Sequence, residues 1–307
     1  MRISSLYQYQ SQIDKLSSAM NRYNDDYTRL SSLQMILKPS DDPAASSQAI
    51  IYQNSLAQLE QYDTARQHAE DMLGQQDNIL NSVSNILTKN LAEKIVAGGN
   101  GTYSAEDREA LAQELEGIRD TLMGLANSRN SNGRYIFAGY NTGKAPFEED
   151  GTYIGGSTPM TQKVADSTEM QVSFTGSEVF LSGSEHDPFN ALNNAIDALR
   201  EPIEDDAGRE KLQQTLDSAN VAIKKNIDNL GKVQATIGTN LQQLEMLGLS
   251  SETSKIDIQT RLEQTLGNGT EAFSTMVTQS KLSEFALQSS FMVFQSMQQL
   301  SLFNMLR

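Results

Sequence analysis

Two adjacent carboxylates, Asp41 and Asp42, stand between two prolines in the stretch KPSDDPAASSQA, Lys38 to Ala49. Such a pair serves as acid and base, or as hard-metal ligands, only when further bases or ligands join it. The chain offers few. It has no cysteine and only two histidines, His68 and His186, which removes thiolate metal sites, disulfides and cysteine nucleophiles. His68 falls in a helical stretch near Gln67 and Glu70, and His186 lies in a loop beside Asp187. No H-x-x-x-H spacing or ligand cluster surrounds either one, so both read as surface histidines. The glycines of VAGGNG precede no G-K-[ST] and so do not form a phosphate loop; they end a helix. Asn100-Gly101-Thr102 and Asn268-Gly269-Thr270 match a glycosylation acceptor, a pattern too short to carry weight. The acidic pair itself has a plainer chemistry. Pro43 suits a first helical position, Asp42 the cap before it, and Asp41 the positive helix end. Residues Asp41, Asp42 and Pro43 are therefore expected to form a helix junction. No catalytic, metal or cofactor site is expected.

The elements around that junction follow from composition and spacing. The 307 residues carry a formal net charge of −15, which disfavours nucleic acid and anionic membrane surfaces as partners. The acid is concentrated in the middle. Residues 1–38 hold five Lys/Arg against three Asp, and from Ala272 to Arg307 only Lys281, Glu284 and Arg307 are charged. MRISSLYQYQ lacks the apolar core of a secretory signal, and no apolar run reaches the roughly 18 residues that span a bilayer. Neither a cleaved signal peptide nor membrane insertion is expected.

Apolar spacing predicts long helices. Leu6, Tyr9, Ile13, Leu16, Met20, Tyr23, Tyr27, Leu30, Gln34 and Leu37 alternate steps of three and four, a heptad seam. A second seam runs from Leu216 through Ile223, Asn226, Leu230, Ile237 and Asn240 to Leu247, its two asparagines placed where polar residues fix register. A weaker one includes Leu59, Tyr62, Ala69, Leu73, Leu80, Val83 and Leu87. Ser104 with Asp107 fits a capping box before Leu111 to Leu125, and Asp187-Pro188 fits another helix start. Between Gly133 and Gly183 helical spacing disappears. There RYIFAGY and EMQVSFTG read as strands, the second alternating at Met170, Val172 and Phe174.

Half of the last 36 residues are apolar, and these positions wrap most of the way around a helix. Such a helix must be buried. A single partner stripe from residues 1–38 covers one face only, which favours burial of the remainder between molecules.

MRIS, the junction KPSDDPAASSQA, the run NGRYIFAGYNTGKAPF and the ending SMQQLSLFNML together resemble the hook–filament junction proteins of the bacterial flagellum. These are the hook-associated protein 3 family, within the flagellin-like superfamily. The likeness covers essentially the whole chain, although the short Tyr140–Asp187 segment leaves room for only a compact outer domain. It implies a mainly α fold with a small β insertion, a flagellin-like multi-domain rod. Both chain ends would form long antiparallel helices in a coiled-coil bundle. On that pattern 1–38 with 268–307 form an inner tube, 39–140 with 186–267 a helical rod with a β-hairpin, and 141–185 a small outer β domain.

The resemblance also implies a non-enzymatic adaptor between hook-associated protein 1 and flagellin that polymerises with itself in a ring or helical array. It would be extracellular, exported by the flagellar type III apparatus, with a cytoplasmic chaperone on the C-terminal segment. Carried onto this sequence, the assembly interface falls on Leu6, Ile13, Leu16, Met20, Tyr23 and Leu30 at one end. At the other it falls on Phe285, Phe291, Phe294, Met297, Leu300 and Phe303, with Phe291, Phe294, Leu300 and Phe303 also meeting the chaperone. Two alternatives stay open on spacing alone: a flagellin filament subunit, and a type III-secreted coiled-coil translocator.

Overall fold

The computed structural model describes residues 2–99 and 103–305, with side chains of the terminal helices described between Tyr7 and Gln299. Among these described residues eight α-helices and one hairpin follow in the order α1 (Arg2–Ser32), α2 (Pro43–Asn85), α3 (Ala92–Gly98), α4 (Ala105–Ala126), β1 (Thr161–Ala165), β2 (Thr168–Gln171), α5 (Gly176–Phe180), α6 (Pro188–Arg200), α7 (Asp206–Leu266) and α8 (Thr270–Met305). The fold is mainly α with a small β insertion, and the two chain ends form long antiparallel helices. The chain divides into two compact units, 1–59 with 252–307 and 60–251. These boundaries fall inside α2 and α7, away from the interhelical loops at 38 and 268.

In the first unit α1 lies along α8. At 31 residues α1 is shorter than its heptad seam suggested. Leu33 turns left-handed, with φ 56°, and its N–H and that of Gln34 bond the carbonyls of Leu30 (3.3 Å) and Arg29 (3.1 Å). That is a Schellman stop, so Gln34 and Leu37 of the expected seam lie beyond the helix.

The 60–251 unit holds one continuous apolar core. Ala69, Leu73, Leu80 and Val83 of α2 enter it fully buried, as do Leu216, Leu230 and Ile237 of α7. Between α2 and α3 the helix widens into a π turn, Ile86–Leu91. Leu87, Leu91 and Ile95 are all buried although they are spaced by fours. Each such step overshoots an α-helical face by about 40°, and the wider turn absorbs the drift. The caps at Ser104 (a full capping box with Asp107) and at Asp187, with Pro188 in the first turn, form where the sequence places them.

The segment between α4 and α6 departs from the sequence reading. RYIFAGY is not a strand. It makes a single isolated bridge, Arg129 to Tyr135, then reverses: Asn141 N–H bonds the Ala138 carbonyl (3.1 Å) and Gly139 sits at φ 57°. With the chain turning there, Phe137 and Ala138 serve as core and not as a ladder. In EMQVSFTG only residues up to Gln171 are strand, paired antiparallel with β1 across a two-residue turn. Met170, Val172 and Phe174 are buried, and so are Ser173 and Thr175, so the alternation ends where both sides are covered. Residues 141–185 do not carry a core of their own: Phe147, Val164, Phe174 and Phe180 belong to the same cluster as the helices. Phe147 meets Phe180 (5.4 Å between ring centres) and Phe189 of α6 (5.2 Å). Gly151, at φ 93°, leaves no space for a side chain, since a Cβ would lie 2.5 Å from Phe189 Cβ.

Candidate assembly surface on the terminal helices

The inward face of α8 is Met276, Ser280, Leu287, Phe294 and Met297, buried or half-buried. At about 100° per residue these positions share one side of the helix. Ile13, Leu16, Tyr23 and Leu30 of α1 are half-buried in the same unit. Phe294 meets the ring of Tyr9 at 5.8 Å, and Ser283 Oγ donates to the Asp26 carboxylate farther along the pair. The two contacts run in opposite directions along the chain, which makes the pair antiparallel.

A second apolar face stays open. Leu282, Phe285, Met292 and Val293 lie on the opposite side of α8, with Phe285 68% exposed. Phe273 and Phe291 flank the covered stripe and are also exposed. On α1 the cover is off-centre: Met20 and Tyr27 of the heptad seam remain 55% and 57% exposed, and Tyr7 points outward. The residues assigned to one assembly interface therefore divide. Ile13, Leu16, Tyr23, Leu30, Phe294 and Met297 line the pair, whereas Met20, Phe285 and Phe291 face out. The side chains of Leu6, Leu300 and Phe303 lie outside the described set. Fully burying each exposed large side chain would be worth roughly 1.5–3 kcal/mol, which makes the open stripe a candidate assembly surface.

Two short connections position the pair. Asp42 Oδ1 accepts the N–H groups of Ala44 and Ala45, both at 3.0 Å, and so caps α2 with Pro43 in its first turn. Asp41 does not serve that helix end. Its carboxylate accepts the N–H groups of Leu37 (3.1 Å) and Lys38 (3.2 Å), with Arg29 at 3.7 Å. The two N–H bonds, aided by the Arg29 and Lys38 charges, hold its carboxyl below the usual carboxylate range. The other connection, Gly267–Gly269, lies against the first. Met35 N–H bonds the Leu266 carbonyl at 3.3 Å. Gly267, at φ 67°, has Met35 Cβ only 2.6 Å from where a Cβ would stand. Gly267 also closes α7 with a Schellman bond from Asn268 N–H to the Glu263 carbonyl (2.9 Å). Sequence reasoning passed over this contact, although a glycine after a helical run is a recognised stop signal.

The other chemistry-bearing residues gather nowhere. His68 is exposed on α2, and His186 meets Glu185 at 3.5 Å. Among the described residues no group of three His, Asp or Glu could hold a metal. Among them, too, no helix is long and apolar enough to cross a membrane. An open hollow of about 690 Å³ beside Met123, Lys144, Phe147 and Asp150 brings together no acid–base pair set against a nucleophile. Asn100-Gly101-Thr102 lies outside the described residues.

The chain is 35% identical to flagellar hook-associated protein 3 of Escherichia coli K12, over 99% of both chains. It belongs to the flagellar hook-associated protein 3 family. The Salmonella typhimurium hook-associated protein 3 is 33% identical over the full length of both. Residues 3–142 match the bacterial flagellin N-terminal helical region. Among solved structures, Bacillus cereus FlgL superposes with a TM-score of 0.55 at 25% identity, over 69% of this chain and 99% of that one. The Legionella pneumophila hook associated protein-3 gives 0.63 at 18% identity, over 70% and 98%, a likeness of fold. Hook-associated protein 3 relatives are structural proteins of the flagellum, and this chain is a flagellar structural protein and not an enzyme.

Proposed function

We propose that the chain is the adaptor subunit that joins the flagellar hook to the filament, polymerising through its terminal helices. The carrying observation is 35% identity to hook-associated protein 3 along nearly the whole length, in a chain whose α8 has one apolar face closed by α1 and another left open. A second copy closes that face: Leu282, Phe285, Met292 and Val293, with Met20 and Tyr27 of α1, are the contact set. Residues 1–38 and 268–307 are then the inner-tube segment, 39–140 and 186–267 the rod, and 141–185 its outward part. Hook-associated protein 1 lies on one side and flagellin on the other.

Before assembly the apolar C-terminal segment needs shelter. A cytoplasmic export chaperone covers Phe291, Phe294, Leu300 and Phe303, and the chain leaves by the flagellar type III apparatus without signal cleavage, to reside outside the cell. A flagellin of Vibrio parahaemolyticus shares 26% identity over 54% of this chain and 48% of its own, and the higher, full-length similarity to hook-associated protein 3 favours the adaptor. Cells lacking the gene separate the two. The adaptor reading expects bare hooks and flagellin monomers shed into the medium. Intact filaments in the deletion strain, or hooks missing along with the filament, would overturn it.

A further inference from the structure

Residues 128–186 contain one short hairpin and the five-residue α5, so parts of their backbone have no ladder to join, and around Phe137–Gly139, Phe147 and Val172–Gly176 the chain is buried. Buried backbone groups require partners, and helix side-chain amides supply them. Gln76 of α2 is 1% exposed. It donates to the carbonyls of Phe174 (3.2 Å) and Ile136 (3.3 Å) and accepts the Phe174 N–H (2.9 Å). Asn127, closing α4, exchanges two 3.0 Å bonds with the backbone of Phe147. Asn193 of α6 donates to the Asp150 carbonyl at 2.8 Å. On α7, Asn226 and Asn229 donate to the Val179 carbonyl (3.3 and 3.0 Å), and Asn240 to that of Gln171 (3.1 Å). The two seam asparagines, Asn226 and Asn240, thus hold the insertion and not a helix register.

The bonds come in bridges. Four residues separate Phe174, held by α2, from Val179, held by α7. Two separate Phe147, held by α4, from Asp150, held by α6. The rings of Phe147 and Phe180 join the two bridges.

We propose that the insertion is a clasp that ties α2, α4, α6 and α7 into one body, and that insertion and helices open together and not as a passenger domain on a self-sufficient rod. Hydrogen exchange on the full-length protein tests this. In the wild type the slow amides of 134–183 should exchange through the same opening as those of α2 at 69–83 and of α7 at 216–244. Gln76→Met strands the Phe174 N–H, and a lost buried bond should speed exchange about tenfold in all three segments alike. Faster exchange in the insertion alone, with both helices at wild-type protection, would overturn the clasp. So would no change anywhere. Should Gln76→Met not fold, Asn240→Ala removes one half-exposed bond and reads the same comparison at smaller amplitude.

Discussion

Asp41 and Asp187 show how two carboxylates of one chain acquire opposite electrostatic roles. Asp41 receives the Leu37 and Lys38 N–H groups at the surface, and its pKa falls. Asp187 is 3% exposed, and burial pushes its carboxyl up although the N–H groups of Gly183, Phe189 and Asn190 pull the other way. Asp41, lowered on folding, contributes stability that is complete above the unfolded carboxylate value of about 4 and is lost as pH falls through its lower folded value. Acidification below that point should therefore loosen the 33–42 connection, read as faster exchange at Leu37 and Lys38, and Asp41→Asn should abolish that acid dependence. Asp187 has the reverse sign: its raised pKa favours folding at low pH, and that share disappears as pH rises through the folded value. Removing the side chain strands the Phe189 and Asn190 N–H groups that it caps, so Asp187→Ala should cost about 1–2 kcal/mol by urea unfolding. At Gly267 the positive φ and the Met35 contact act together. Gly267→Ala should destabilise the first unit by more than the ordinary gain of about 1 kcal/mol from stiffening a compatible glycine. Limited proteolysis should then cut at 33–42 and 267–269 together, because one contact holds both connections.

At the scale of elements, α8 is the informative helix. At 36 residues it is about 54 Å long, and it is apolar on two sides, one of them covered. The two sides make opposite predictions. Met276→Ala and Phe294→Ala should open the α1–α8 pair, at a cost of about 1–3 kcal/mol each. Phe285→Ser should leave the monomer within about 0.5 kcal/mol of wild type while preventing its incorporation into the flagellum. Sedimentation and motility measured on the same variants separate these effects. A Phe285→Ser protein that assembles normally would show that the open face is not the contact.

Across the whole molecule the two units differ in core. The 60–251 unit has a continuous buried cluster, whereas among the described residues of the other unit only Ala49, Met276 and Ser280 are buried. Local opening follows such differences. Brief proteolysis of the monomer should therefore trim both ends and leave a resistant fragment close to 60–251. Ends as resistant as the middle would contradict that reading.

Much of this was legible along the chain. Helical periodicity located α1, α2, α4, α7 and α8. Local chemistry marked their ends at Asp42-Pro43, Ser104 and Asp187, because a cap needs only residues within one turn of it. The excess apolar surface of α8 was also visible, since a helix with more apolar positions than one partner can cover declares it in composition alone. What the tertiary structure decided depends on groups far apart in sequence. Gln76 reaches Phe174 across 98 residues, and Met35 closes over Gly267. Neither pairing leaves a local periodicity to read. The failed strand at RYIFAGY has the same cause: a short apolar run is extended only if a neighbouring strand meets it, and here turns and helix amides took that place.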